Sequence, residues 1–367
     1  MPVYKDKNAK LNPWYYAFEV KDDNGKRKTI KKRGFKTKRE AEILEVEARN
    51  EWNKGSYYEP IKSTFGEYIY QWIDNKQNLS EQARYNNLNH IKHHIIPLIG
   101  HVPMSKLNVF ILEKFVSDLQ DRNLAESTIR KIYNIVNTSL NAAAKKELLP
   151  KNPMTLLESA PRVSKKKLDY WTVDEVKQFL NGFEHRQKIV FQLAIYTGMR
   201  MGEILGLSIS DIDLVNKRIH VRQVLTYDAK LKAGAKTISG NRSIAIPESL
   251  LNPLLEQIRS MEIEIEQYGE EYNKDRLLVC TTTGKPLTKP NLTSTWYYLL
   301  GLTKVRKIRF HDLRHTCASL LLQLGQHPKV VQELLGHSSI KVTIDLYSHM
   351  TPNMQTDAVN ALDNLLK

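Results

Sequence analysis

Cysteine is nearly missing. Among 367 residues only Cys280 and Cys317 occur, which excludes a disulfide-stapled scaffold and a four-cysteine zinc site. No stretch approaches the ~18 consecutive apolar residues that a membrane span requires. The opening, Met1-Pro2-Val3-Tyr4-Lys5-Asp6-Lys7, lacks the apolar centre of a signal peptide. Internal repeats and low-complexity tracts are absent, and a hydrophobic fraction of 41% excludes wholesale disorder. Acid is also in short supply: 40 Asp plus Glu stand against 55 Lys plus Arg, a net charge of +15. That sign implies a polyanionic partner, either nucleic acid or an anionic membrane surface. The length suits two or three domains. A cytoplasmic protein that faces nucleic acid is the expectation.

The positive charge is unevenly spread. Residues 1–39 hold 13 Lys/Arg and 4 Asp/Glu, a local balance of +9. Within them Trp14-Tyr15-Tyr16-Ala17-Phe18-Glu19-Val20 reads as a strand, Asp22-Asp23-Asn24-Gly25 as a hairpin turn, and the segment from Arg27 to Lys32 as a second strand. Thr37-Lys38-Arg39-Glu40 is a capping box that opens a helix to about Trp52. Strands backed by one helix, with Arg27, Lys28, Lys31 and Lys32 on the open face, suit a sheet laid into a DNA groove.

Residues 62–150 read as four or five helices. Phe65, Tyr68, Ile69, Trp72 and Ile73 recur at helical spacing, as do Ile129, Ile132, Tyr133, Val136, Leu140 and Ala143. Pro150, Pro153 and Pro161, followed by Lys165, Lys166 and Lys167, predict an extended basic linker that crosses the duplex. Thr172-Val173-Asp174-Glu175 caps the next domain, which has a helix over 185–197, strands at 218–226 and 242–247, and helices again with stops at Gly325 and Gly336. The acidic stretch 256–276 is expected to face away from DNA. The expected fold is mainly α with small β elements (α+β). Its parts are a β-sheet-plus-helix domain at 1–57, a helical DNA-binding domain at 62–152, a basic linker at 153–170 and a mixed, mostly helical domain at 171–367.

The polar residues at helix ends in this last domain suit phosphate chemistry. Arg200 follows the Gly198 stop, and Glu203 three residues on is placed to pin its guanidinium for bidentate phosphate binding. His311, Arg314 and His315 share one face at the start of a helix, where anions bind well. His311 and His315 alone would make half a metal site, but no Asp, Glu or Cys nearby completes a ligand set, and no metal is expected. Leu335-Gly336-His337 ends a further short helix, and Tyr347 follows ten residues later.

Arg200, His311-x-x-Arg314, Leu335-Gly336-His337 and Tyr347 together resemble the tyrosine recombinase (phage integrase) signature in order and spacing. The resemblance spans essentially the whole chain. Residues 1–57 look like the arm-type DNA-binding domain of integrases from mobile elements of Gram-positive bacteria, and 62–152 like the core-site domain. The resemblance implies catalysis by Arg200, Lys236, His311, Arg314, His337 and the nucleophile Tyr347. Glu203 and His315 would support them. Tyr347 would attack the scissile phosphate and form a 3′-phosphotyrosyl link, while the arginines and His337 hold its oxygens. His311 would assist proton transfer. Lys236, in Lys236-Thr237-Ile238-Ser239, fits the hairpin lysine that protonates the leaving 5′-oxygen, with Lys232 as its rival and Lys230 in the same turn. Rejoining would need no cofactor, ATP or metal ion.

The resemblance further implies double-stranded attachment sites of core and arm types, a Holliday junction, and a homotetramer on DNA. In that assembly the terminal helix, with Ala358, Ala361, Leu362 and Leu365 along one stripe, would dock on a neighbouring protomer. A directionality factor and a DNA-bending host protein are the expected accessories, and no membrane is involved. Integration and excision of a prophage or conjugative element is the favoured role. A chromosome-dimer resolvase gives the N-terminal basic domain no task, and a type IB topoisomerase needs no two-domain front end. A DNA-binding regulator with a dead site conflicts with the complete residue set.

Overall fold

The computed structural model describes residues 3–9, 11–21, 25–53, 63–77, 79–164, 169–234, 242–337, 339–341, 343–344, 359–360, 362–363 and 366. The chain divides into two compact units, residues 1–165 and 166–367. Helices dominate both, with small antiparallel sheets, in agreement with the fold class expected from sequence.

The first unit opens with β1 (Val3–Lys5), β2 (Trp14–Lys21) and β3 (Arg27–Phe35), paired in that order, followed by α1 (Lys38–Asn53). Strand alternation sends Tyr16, Phe18 and Ile30 to one face, where they pack with Ala41 and Ala48 of α1. The expected turn residues Asp22, Asp23 and Asn24 lie outside the described residues; Gly25 after them has a φ of 75°. Thr37 does cap α1, accepting the Glu40 amide at 3.1 Å, but the Glu40 carboxylate reaches back to the amide of Lys36 instead of Thr37.

Register corrects the expected DNA-facing cations. Arg27 and Lys31 pair with Lys21 and Ala17, on the face away from α1, whereas Lys28 and Lys32 pair with Val20 and Tyr16 and share the helix-backed face. The open-face expectation therefore fails for Lys28 and Lys32. Arg33, passed over in the sequence, lies on the open face opposite Tyr15. Lys31 and Arg33 stand 4.6 and 5.5 Å from the Tyr15 ring centre, and Tyr4 stacks on Tyr15 at 5.3 Å.

The rest of this unit is helical: α2 (Phe65–Asp74), α3 (Glu81–His90) running on into a wider-wound segment Ile91–Gly100, α4 (Val109–Gln120) and α5 (Glu126–Lys145). Thr64 and Glu67 form a complete capping box at α2. Phe65, Ile69, Ile73, Ile132, Val136 and Leu140 meet in one core, as their spacing predicts. The early part of the expected linker is not extended. Asn152 pins a 3₁₀ turn at Pro153–Leu156, Met154 is buried in that core, Arg130 donates to the Pro161 carbonyl, and Ser164 donates to Glu126. Lys165, Lys166 and Lys167 lie outside the described residues.

The second unit contains α6 (Val173–Asn181), α7 (Lys188–Thr197), α8 (Met201–Leu205), β4 (Ile212–Asp213), β5 (Arg218–Val221), β6 (Gln223–Leu225), β7 (Leu231–Ala233) and β8 (Arg242–Ala245). Then follow α9 (Glu248–Tyr268), α10 (Lys289–Thr303), α11 (Asp312–Gln323) and α12 (Pro328–Leu335). Strands pair as β4-β5-β8 and β6-β7. The Thr172 and Glu175 capping box forms with both bonds. An aromatic cluster of Trp171, Phe179, Phe191, Trp296 and Phe310 fills the centre. Its polar ends hold the approach to α11: the Trp171 indole donates to Arg306 O, the Trp296 indole donates to Ile308 O, and Thr316 accepts the Trp171 amide. The stretch that delivers His311 and Arg314 is thus fixed from below.

Gly198 closes α7 in the left-handed region, with φ 61°. A Cβ there would lie 2.2 Å from Leu335 Cδ2, in a fully buried contact. Gly198→Ala is expected to destabilise this unit by roughly 2–4 kcal/mol, from left-handed backbone cost plus overpacking. A lowered urea midpoint for its unfolding checks this; an unchanged midpoint refutes it.

Candidate active site

Two arginines and one glutamate tie three distant segments together. Glu203, at 2% side-chain exposure, accepts from the Arg200 amide (2.9 Å) and Arg200 Nη1 (2.7 Å). It also accepts from Arg242 Nη1 (3.1 Å) and Nη2 (2.9 Å). Those four bonds occupy the carboxylate's lone pairs. Burial pushes the Glu203 carboxyl upward, but the bonds to Arg242 and Arg200 outweigh it and hold the group at about 2. The second Arg200 nitrogen, Nη2, donates to Gly336 O at 3.0 Å, so Arg200 joins α8 to the turn before His337.

Arg314 lies on the first turn of α11 and is 3% exposed. Its Nη1 donates to Gly198 O at 2.8 Å, while its Nη2 is buried with no partner among the described residues. Burial, with the Arg200 and Arg242 charges, lowers its pKa to about 9, so it remains a cation at neutral pH. The electrostatic neighbours of Arg314 and His337 place Arg200, Arg242, Arg314, His315 and His337 in one cluster. His311 and His315 meet edge to face, ring centres 5.2 Å apart, and Nδ1 of His315 is buried with no partner among the described residues. Among the described residues no three His, Cys, Asp or Glu side chains group as a metal site.

The histidines are neutral at pH 7. Burial, then the neighbouring cations, lowers His337 to about 3; burial, then His315 and Arg314, lowers His311 to about 4. Folded values below the unfolded one mean that their stabilisation is complete above about pH 6.5 and declines as pH falls toward 4 and 3. A neutral imidazole must have its tautomer chosen. His337 Nδ1 lies 3.0 Å from the hydroxyl of the buried Thr343; when that hydroxyl donates, Nε2 carries the proton and can donate onward. As the resemblance implies a cleavage role for His337, Thr343→Val is expected to slow DNA cleavage roughly fivefold, the worth of one neutral hydrogen bond, with binding unchanged. A single-turnover rate equal to wild type would rule out this tautomer lock.

The described residues thus bring Arg200, Glu203, His311, Arg314, His315 and His337 into one site, all six found in the sequence. Tyr347 and Lys236 lie outside the described residues. Lys232 is exposed on β7 opposite Val224, and Lys230 pairs with Asp228. Arg242 was missed, although a signal existed. It shares strand parity with the buried Ile244 and Ile246, and a cation at a core-facing position calls for a partner.

A DNA-handling enzyme is the class this arrangement defines: basic sheet, helical domain, and a cluster of guanidiniums and neutral imidazoles. Family models agree. Residues 2–51 match an Arm DNA-binding domain, residues 64–120 a Phage integrase, N-terminal SAM-like domain, and residues 169–354 the Phage integrase family. The chain belongs to the phage integrase family, the tyrosine recombinases, enzymes that cut and rejoin DNA. It is 30% identical to a Tyrosine recombinase XerC-like protein of Caldanaerobacter subterraneus subsp. tengcongensis, over 96% of each chain. It is 27% identical to the ICEBs1 integrase of Bacillus subtilis, over 90% of this chain and 91% of that one. The Tn1549 transposon integrase in complex with a circular intermediate DNA shares the fold, with TM-score 0.69, 18% identity, and 82% of this chain and 99% of that one covered. A lambda integrase tetramer bound to a Holliday junction gives TM-score 0.60, 17% identity and 94% of each chain. Among the described residues no helix is long and apolar enough to cross a membrane.

Proposed function

We propose that this recombinase integrates and excises a mobile element through a 3′-phosphotyrosyl intermediate and a Holliday junction. The observation that carries the reading is the charge of the cluster. Among the described residues, Arg200, Arg242 and Arg314 gather around the single carboxylate of Glu203, and one buried Arg314 nitrogen is left unpaired. A phosphodiester supplies the missing anion and acceptor. Arg200 and Arg314 hold its non-bridging oxygens and stabilise the charge that grows there, and His337 adds a hydrogen bond. Tyr347 attacks, neutral His311 accepts its proton, and Lys236 protonates the departing 5′-oxygen.

The arm-domain match and the ICEBs1 relative support an element integrase, while the XerC-like relative supports chromosome-dimer resolution as the second reading. DNA flanking the gene separates them: attachment repeats belong to the first. Double-stranded core and arm sites are the substrates, held in part by Arg27, Lys31 and Lys165 to Lys167. The working assembly is a tetramer, and the exposed Val359, Leu362 and Leu366 support docking of the terminal helix on a neighbour. Ala358, Ala361 and Leu365 lie outside the described residues. A directionality factor and a DNA-bending protein complete the complex.

The test uses a nicked duplex built from the element's own attachment sequence, incubated with the full chain. The expected product is a protein–DNA adduct at the 3′ side of the cut, with a free 5′-hydroxyl, mapping by peptide mass to Tyr347. A 5′ linkage, or no adduct on DNA that the protein binds, overturns the mechanism.

A further inference from the structure

Arg242 makes three bonds to groups outside β8. Its Nε donates to Leu334 O at 2.9 Å, and Nη1 and Nη2 take both oxygens of Glu203. At 8% side-chain exposure it has little access to substrate, whereas Arg200, across the same carboxylate, is 41% exposed. The Leu334 carbonyl belongs to the last turn of α12, where carbonyls have no helical partner and need an outside donor. Three residues on is His337.

From these contacts we infer that Arg242 is a positioning residue, a buried clamp that sets the pose of Arg200 through Glu203 and of His337 through the end of α12. Paired N–H bonds from one guanidinium to both carboxylate oxygens fix the plane and distance between the two groups, whereas the Arg200 guanidinium reaches Glu203 through one nitrogen only. Without Arg242, Glu203 loses half its donors and turns toward Arg200, drawing that guanidinium from the phosphate. The α12 end loses its cap in the same step. DNA contact is untouched, because Arg242 offers the duplex nothing. The clamp therefore acts on the rate of cutting and not on the hold. This rests on the reading of Arg200 and His337 as phosphate ligands.

The experiment compares wild type, Arg242→Ala, Arg242→Lys, Glu203→Gln and the Arg242→Ala/Glu203→Gln pair, all as full chains. Affinity for the attachment duplex and single-turnover adduct formation on its nicked form are measured separately. Arg242→Ala is expected to slow adduct formation about 100-fold, as an ångström-scale misplacement does, with affinity within about threefold. Arg242→Lys, which keeps the charge but not the fork, should recover about tenfold of that. The paired variant should be no more than about threefold slower than the slower single one, since both break the same link. Adduct formation at the wild-type rate in Arg242→Ala overturns the inference. So do multiplying effects in the pair, or parallel losses of affinity and rate in both Arg242 variants. Absence of an adduct with wild type overturns the recombinase mechanism instead, and the clamp with it.

Discussion

Tyr347→Phe is expected to bind the attachment duplex as wild type does and to form no covalent adduct at all. The substitution removes one oxygen and keeps the ring, so on the proposed mechanism only the attacking atom is lost. Water cannot stand in for it, because the product that conserves the phosphodiester bond is an enzyme ester and not a free phosphate. The placement of the tyrosine rests on spacing: Tyr347 lies ten residues after His337. His337 itself is anchored on both sides, by Arg200 at Gly336 O and by Thr343 at Nδ1. Gel mobility measures binding, and denaturing electrophoresis measures the adduct. An adduct that persists in the Phe variant reassigns the nucleophile.

The second large effect falls on Arg314. Arg314→Ala should lower the single-turnover rate about 10³-fold, the upper end for removal of one preorganised donor at developing charge. Arg314 is aimed by Gly198 O through one nitrogen, and its other terminal nitrogen has no partner among the described residues. Lysine at this position offers a point charge that cannot hold Gly198 O and phosphate together, so Arg314→Lys should recover at most about tenfold. Circular dichroism guards against an unfolding artefact, since the wild-type side chain is buried. A loss confined to affinity, with the rate of bound complexes intact, would make Arg314 a holding residue only.

Local features were legible in the sequence because they depend on near neighbours. The capping box at Thr172, the stops at Gly198 and Gly336, and the apolar spacing of α2 and α5 are all decided within a few residues. The site residues were legible because Arg200, His311, Arg314 and His337 each sit at a helix boundary, where signature order and spacing mark them. Pairing across long separations was not. Arg242 meets Glu203 across 39 positions, and Arg200 meets Gly336 across 136. Strand register was equally hidden. The run from Arg27 to Lys32 carries cations at both strand parities, and only pairing with β2 decides that Lys31 stands clear of α1 while Lys32 does not. Proline content misled at residues 153–164: Pro153 starts a 3₁₀ turn whose Met154 is buried.

The surplus of guanidinium over carboxylate has a consequence for the lifetime of the protein. Without DNA, Arg314 is a desolvated cation beside two others, and the second unit carries that repulsion as a standing cost. On the proposed function a phosphodiester offsets it, and the occupied form is the more stable fold by mass action, by about 2.7 kcal/mol when sites exceed the dissociation constant 100-fold. Copies seated on DNA are then expected to outlast free ones under limited proteolysis, with equal lifetimes refuting the link.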